Sequence, residues 1–373
     1  MPLVDRSREP EHRIVDLFAG PGGLDVGATW LGIPVTGVEL DRDACFTREA
    51  AELDTVRGDV RDFQPANFPE ATILTGGPPC QTFTVAGTGT GRRALEKVIG
   101  SIADMVDHPE ADPVRGWSSD ERTELILEPL RWALLALRKN KPFEAIILEQ
   151  VPAVLPVWQA FATVLEEHRY RCAVGIVRSE EFGVPQTRRR AILIARRGRA
   201  AASLPTPTHD AFRKGAVRQQ SMGRRPWVSM GDALRRDTSF TVVSNYGSGG
   251  DPRNRGRRTS DEPAATVTGK ITRNRIHLPD GQWSRFTHNE AGALQTFPHD
   301  FPWSGGDIGQ QIGNAIPPRL AVHIIAHTLS IGIDEAELDR VVKATWSDSS
   351  RNPIRMGERT PSATTGRDAE LAS

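Results

Sequence analysis

Cysteine is scarce. The 373 residues contain three, Cys45, Cys80 and Cys172, at unrelated spacings and with no CxxC pair. A disulfide framework and a cysteine-based zinc site are therefore not expected, so no metal is assigned, and a reducing compartment fits best. Long apolar runs are missing too: nowhere do about 18 apolar residues follow one another, and the polar N-terminus does not read as a secretion signal. The expectation is a soluble, cytoplasmic protein without a membrane partner. No internal repeat is found, and no oligomerisation signal, which makes a monomer the default.

Net charge is the third absence, with 47 basic against 47 acidic side chains. Its distribution, however, is lopsided. Between Gln186 and Ser260 there are 17 Lys and Arg against 4 acids, a net of +13, which leaves the rest of the chain 13 acids in excess. Such a segment is either a solvated basic surface or a module that binds a polyanion. With 38% hydrophobic and 25% charged residues, the chain can bury a substantial core. Its length suits two domains or one large one.

The first half alternates short apolar strands with amphipathic helices. Strands are expected at Ile14–Phe18, Val35–Leu40, Ala71–Gly76 and Pro142–Glu149. Helices are expected at Leu24–Leu31, Asp41–Leu53, Glu124–Lys139 and Val157–His168. This pattern predicts an α/β fold with a mostly parallel sheet covered on both faces. Residues 171–197 read as two more strands around a polar connection. Periodicity weakens from about Arg196 while Pro, Gly, Arg and Ser rise, then resumes near Phe286. Pro317–Ile333 reads as a long apolar helix packing back on the first domain. The expected organisation is a large domain at 12–195 and 276–343, a small irregular one at 196–275, and a disordered tail at 344–373.

Three features line up at successive strand ends. DLFAGPGGLDVG, Asp16–Gly27, runs from a strand through a glycine-rich turn into a helix, so backbone N–H groups face whatever occupies the turn. Glu39 ends the next strand, where an acid can accept hydrogen bonds from ribose hydroxyls. Asp59 follows the third strand and suits an adenine amino group. Singly, each acid reads as a cap or a surface residue. In order, they favour an adenosine-containing ligand.

GGPPCQTF, Gly76–Phe83, sets Cys80 behind two prolines at the carboxyl edge of the sheet. Gly76 and Gly77 permit close approach and Pro78–Pro79 stiffen the turn, so burial as a small hydrophobe is the weaker reading here. For Cys45 and Cys172 burial is accepted.

With its preceding glycine-rich turn, GPPCQ resembles the DNA (cytosine-5)-methyltransferase family, and other motifs follow in that family's order. LEQVPAV (Leu148–Val154) is similar to its Glu-Asn-Val motif, QTRRR (Gln186–Arg190) to its Gln-x-Arg-x-Arg motif, and EPAATVTGK (Glu262–Lys270) to the segment closing its recognition domain. QIGNAIPPRLA (Gln311–Ala321) resembles its terminal motif. The resemblance spans about Ile14–Leu329. It implies a Rossmann-like fold that binds S-adenosyl-L-methionine through Phe18, Ala19, Gly20, Gly22, Gly23, Glu39, Leu40, Asp59, Val60, Pro79 and Asn314. It also implies that Cys80 adds to carbon 6 of cytosine, that Glu149 engages ring nitrogen 3, and that Arg188 and Arg190 hold the base carbonyl and favour the thiolate. The target base has to leave the DNA stack. The small domain then reads as the target-recognition domain, with Arg224, Arg225, Arg253, Arg255, Arg257 and Arg258 as candidate contacts to double-stranded DNA. A cognate restriction endonuclease is a further implied partner.

The chain departs from this pattern twice. Gln150 stands where the family usually has Asn, and the loop after Cys80 is long. Within that loop Ala94, Leu95, Val98, Ile99, Ile102 and Met105 repeat at helical spacing, so an inserted helix is expected. Two alternatives stay open on the sequence: the same chemistry on tRNA, and a catalytically silent DNA-binding protein. CFT at Cys45–Thr47 matches a short motif of the tRNA-methylating branch but lies in the wrong region.

Overall fold

The computed structural model describes residues 11–79, 90–110, 124–198, 201–219, 223–244 and 255–354. Strands β1 (Ile14–Leu17), β2 (Val35–Glu39), β3 (Thr55–Arg57) and β4 (Ile73–Gly76) alternate with helices α1 (Gly23–Trp30) and α2 (Arg42–Ala50). Helices α3 (Thr90–Asp107) and α4 (Glu128–Arg138) precede β5 (Ala145–Gln150), and α5 (Leu155–Glu167) follows it. Strands β6 (Tyr170–Arg178), β7 (Gln186–Thr187) and β8 (Arg189–Arg197) complete this part. The sheet has seven strands in the order β3-β2-β1-β4-β5-β8-β6, the first five parallel and β8 antiparallel to both neighbours. The mostly parallel α/β fold is thus as expected. The two strands anticipated at 171–197 form its far edge.

Alternation along the strands decides which side chains face which layer. Val15, Leu17, Leu74, Ile146 and Leu148 pack on one face with Trp132, Trp158 and Phe161 of α4 and α5. Ile14, Ile73, Ile147 and Ile194 point the other way, into a core shared with α1 and the later helices α9 (Pro318–Leu329) and α10 (Glu335–Lys343). The segment after the small domain therefore returns to cover the first domain. The helix expected in the long loop is α3: Val98, Ile102 and Met105 are buried, Leu95 is partly covered and Ile99 is exposed. The side chain of Ala94 lies outside the described residues.

The small domain is built from short pieces. Helix α6 (Met230–Leu234) and strands β9 (Thr241–Val243), β10 (Arg257–Thr259), β11 (Ala264–Ala265), β12 (Arg275–His277) and β13 (Trp283–Ser284) precede α7 (His288–Leu294) and α8 (Ile308–Asn314). Four of these strands form a sheet in the order β10-β9-β12-β13, over a core including Phe240, Val242, Val267, Ile276 and Phe286. That sheet continues to Ser284, beyond the expected boundary at residue 275. Strands of two or three residues leave no periodicity to read, so the extent of this sheet has no signal in the sequence.

Disorder was expected at 344–373, of which 355–373 lie outside the described residues. Within 344–354 helix α11 (Trp346–Arg351) forms instead, with Trp346 Nε1 donating to Ala51 O at 3.1 Å and Ile354 N to Trp30 O at 2.7 Å. Two widely spaced apolar residues anchor a stretch whose average composition is polar. Among the described residues no helix is long and apolar enough to cross a membrane.

Candidate active site

Parallel strands all end at the same edge, so the residues just past them share one rim. A cleft of about 910 Å³ opens along that rim. It is lined by Phe18, Ala19, Gly20, Gly23, Glu39, Leu40, Asp59, Val60, Pro79, Glu149, Arg188, Arg190 and Asn314. Of the expected site residues, Gly22 does not line it and Cys80 lies outside the described residues.

Gly22 acts through the turn. With φ at 99° it adopts the left-handed conformation that caps α1, and a Cβ there would meet Leu53 Cδ1 at 2.3 Å. Phe18 also has positive φ, 60°, a costly conformation for a bulky residue that turns the chain sharply at the end of β1.

One end of the cleft is acidic and closely tied down. Glu39 is buried and accepts Gly20 N at 2.7 Å on Oε2 and Asp41 N at 2.6 Å on Oε1. Those bonds fix its carboxylate against the glycine turn, while burial pushes its pKa up. Beneath it Arg48 and Asp25 form a buried bidentate pair at 2.6 and 3.0 Å, with Arg48 also donating to Thr55 Oγ1 and Asp54 O. Gly37 is required there: a Cβ would stand 2.1 Å from Arg48 Nη2. Asp59 caps the turn that follows β3 and pairs with Arg61 at 2.6 Å. Leu40, 59% exposed, stands at the rim as an uncovered apolar surface.

The other end is basic and less satisfied. Glu149 at the end of β5 lies 2.7 Å from Arg190 Nε, an ion pair without hydrogen-bond alignment, so among the described residues its buried Oε1 lacks a hydrogen-bond donor. Arg188 is wholly buried, and its Nη1 donates to Val267 O at 3.2 Å and Gly313 O at 3.0 Å. Among the described residues its Nε has no hydrogen-bond partner. Burial, and then the charge of Arg190, hold its pKa well below the usual arginine range. Gln150 bridges two loops: Nε2 donates to Pro78 O at 2.6 Å and Oε1 accepts Val151 N at 2.5 Å. The residue that departs from the family pattern thus braces the turn that carries Cys80.

The motifs far apart in sequence meet here. Gln186 donates to Leu294 O and Gln295 Oε1 and accepts Val267 N, while Gln295 donates to Ile312 O. Strand β7 pairs with β11, so QTRRR, EPAATVTGK and QIGNAIPP form one seam between the domains. The role of Gln186 there was not foreseen. Also missed was Asp16, which lines the cleft floor and accepts from Thr75 Oγ1 at 2.5 Å. An ionisable residue inside an apolar strand was the available signal.

The candidate DNA contacts divide. Arg258 lies over the Phe212 ring and donates to Pro263 O and Thr187 Oγ1. Arg225 pairs with Asp339 of α10 at 2.8 Å. Both side chains are therefore engaged within the protein. Arg257 is exposed, as are Arg224 and Arg255, whereas Arg253 lies outside the described residues. Cys45 is buried and Cys172 half-buried, each with its thiol pKa pushed up by burial, that of Cys172 to about 12.

A family model described as C-5 cytosine-specific DNA methylase matches residues 12–108, 118–223 and 207–330. Type II methyltransferase M1.HphI of Haemophilus parahaemolyticus is 27% identical over 86% of this chain and 87% of its own length. Type II methyltransferase M.AplI of Arthrospira platensis is 26% identical over 83% of each. Among solved structures the S. pombe Dnmt2 methyltransferase superposes with a TM-score of 0.60 at 18% identity, over 85% of this chain and 98% of that one, a likeness of fold.

Proposed function

The chain belongs to the C-5 cytosine-specific DNA methylases and is a DNA cytosine-5 methyltransferase; from that premise we propose that it acts on a specific sequence of double-stranded DNA through a covalent adduct of Cys80 with a flipped cytosine. Its physiological role would be the modification arm of a restriction–modification system. The observation that carries the reading is the Gln150 bridge: the loop bearing Glu149 and the turn leading to Cys80 are held together at 2.6 Å, beside a cleft whose other end is shaped for a nucleoside.

S-adenosyl-L-methionine fits the acidic end. Glu39 keeps carboxylate lone pairs for ribose hydroxyls, the turn at Gly20–Gly23 leaves room for a close ligand, and Leu40 and Val60 supply apolar contact for a base. Asp59 already pairs with Arg61, so its acceptor role is shared with that contact. Phe18, Ala19, Pro79 and Asn314 complete the lining. When bound, the donor supplies an electrophilic methyl group.

Carbon 5 of cytosine is a poor nucleophile, and the residues at the basic end correct this. Cys80 as thiolate attacks carbon 6 while Glu149 shares a proton with ring nitrogen 3, so electron density moves to carbon 5. Arg190 holds Glu149 in place, and the free Nε of buried Arg188 is a donor for the base carbonyl. Methylation at carbon 5, loss of its proton and elimination of Cys80 restore the enzyme. Extrusion of the base costs a few kcal/mol. Contacts from the basic small domain, including exposed Arg257, would offset that cost.

The test is transfer of labelled methyl to duplex DNA. Wild type is expected to label mixed-sequence duplex and to be trapped covalently on 5-fluorocytosine DNA. Cys80→Ala should do neither. Labelling of tRNA but not of duplex DNA, or cofactor binding without transfer to any DNA, would overturn the proposal, and bisulfite sequencing of a co-expressed plasmid would give the target sequence.

A further inference from the structure

Asp16 has no part in the chemistry above, yet it occupies the centre of the cleft. The rim residues follow the sheet order: Asp59 after β3, Glu39 on β2, Asp16 on β1, Thr75 on β4, Glu149 on β5. Neighbouring strands lie about 4.8 Å apart, so Glu39 and Glu149 are separated by three spacings, with β1 and β4 between them. Asp16 pairs in register with Gly37 and Thr75, which puts its side chain on the face that carries Glu39 and Glu149, two residues deeper along the strands. It is the only acidic residue that β1 and β4 contribute to the lining, and it is 4% exposed. A ligand whose ribose is held by Glu39 and whose methyl reaches a base at Glu149 carries its sulfonium over this carboxyl.

We propose that Asp16 reads the charge of the methyl donor: it gives up its proton to solvent when the sulfonium binds and takes one back when the neutral thioether product is left. This rests on the cofactor reading above. The groups around Asp16 fit the role. Burial and the facing carboxylates Asp25 of α1 and Glu39 of β2 favour the protonated form. Thr75 Oγ1 and Arg48 of α2 oppose them, and the pKa is pushed up to about 8. Across the cleft Glu149, Arg188 and Arg190 form their own cluster. A cation placed over Asp16 inverts the balance, because an opposite charge at close range stabilises the carboxylate. A neutral sulfur does not. The cleft thus discriminates between donor and spent product at the point where they differ.

Isothermal calorimetry at pH 7 in two buffers of different ionisation enthalpy measures the protons exchanged. Wild type is expected to release close to one proton with S-adenosylmethionine and almost none with S-adenosylhomocysteine. Asp16→Asn should abolish the release and weaken the charged ligand about tenfold for every unit by which its binding lowers the pKa below the working pH of 7. Affinity for the neutral ligand should hold within about twofold. Equal proton release with both ligands in the wild type would sink the proposal without any variant. So would release that persists in a folded Asp16→Asn. If neither ligand binds, the cofactor reading fails first, and this one with it.

Discussion

The two ends of the cleft are built on opposite principles. At the acidic end most polar atoms have a partner: Glu39 takes two backbone N–H groups, and Arg48 donates from all three of its nitrogens, to Asp25, Thr55 and Asp54. At the basic end, among the described residues, Arg188 Nε and Glu149 Oε1 are buried without hydrogen-bond partners. Such groups cost roughly 1–3 kcal/mol each when left unmade. An arrangement that carries this cost makes sense where a substrate will supply the missing partners. The acidic end is closed by contacts within the fold, whereas the basic end keeps polar atoms that, on the proposed function, a flipped base would satisfy.

That contrast implies that substitutions at the two ends fail in different ways. The largest effect is expected from Glu149→Gln. Removing a positioned acid–base group lowers turnover by about 10²–10⁴-fold. Cofactor affinity should stay within about twofold, and the melting temperature should fall only slightly, because the ion pair lost with Arg190 has no hydrogen-bond alignment. Single-turnover methyl transfer and thermal denaturation measure the two quantities on the same sample. A large loss of stability would mean that the basic end is structural as well, and the contrast would collapse.

At the acidic end the loss should appear in stability. Arg48→Met leaves Asp25 buried and unpaired, and breaking one partner of such a pair costs about 3–5 kcal/mol. Both side chains are almost inaccessible, at 0% and 2%, so solvent screening gives little relief. Chemical denaturation is the measurement. The double change Asp25→Leu with Arg48→Met should recover much of the loss, because a matched apolar pair leaves no orphan charge. If the single variant melts like the wild type, the acidic end is not held together by this pair.

Much of this contrast was legible in the chain before its fold was known. The strands that carry Glu39 and Glu149 follow clear alternation, and parallel topology alone brings their ends to one rim, so the acids lining the cleft could be named from order. Cys80 stood out through the prolines before it. What stayed hidden depends on long-range packing. The Arg48–Asp25 pair joins two helices, and Gly37 admits it from a third element, a three-body contact without local pattern. Asp16 carried a signal, a charge inside IVDLF, that was not read. The seam built on Gln186 joins segments some 80 to 110 residues apart. In the small domain the difficulty was reversed: composition marked it as basic, but strands of two or three residues hid its sheet, which runs on to Ser284. Composition also could not tell that Arg225 and Arg258 are engaged internally while Arg257 is exposed.

The smallest effect tests the join between the two ends. Gln150 reaches Pro78 O with its amide nitrogen and its own loop with its amide oxygen, so a single side chain sets the spacing between the Glu149 loop and the Cys80 turn. Gln150→Asn restores the residue usual in the family but shortens the side chain by one methylene. On this backbone the amide then falls short of Pro78 O by roughly the length of a carbon–carbon bond, and one hydrogen bond worth about 1 kcal/mol is lost. Turnover should fall about fivefold or less through misplacement of Cys80, with cofactor affinity unchanged. Gln150→Ala, which loses both bonds, should cost about tenfold or more. The ordering Gln above Asn above Ala, read as the rate of covalent trapping on 5-fluorocytosine DNA, is the signature of a brace. Equal rates for Gln and Asn would mean that the loops find their spacing without it, and the two ends of the cleft would then be joined only through the sheet.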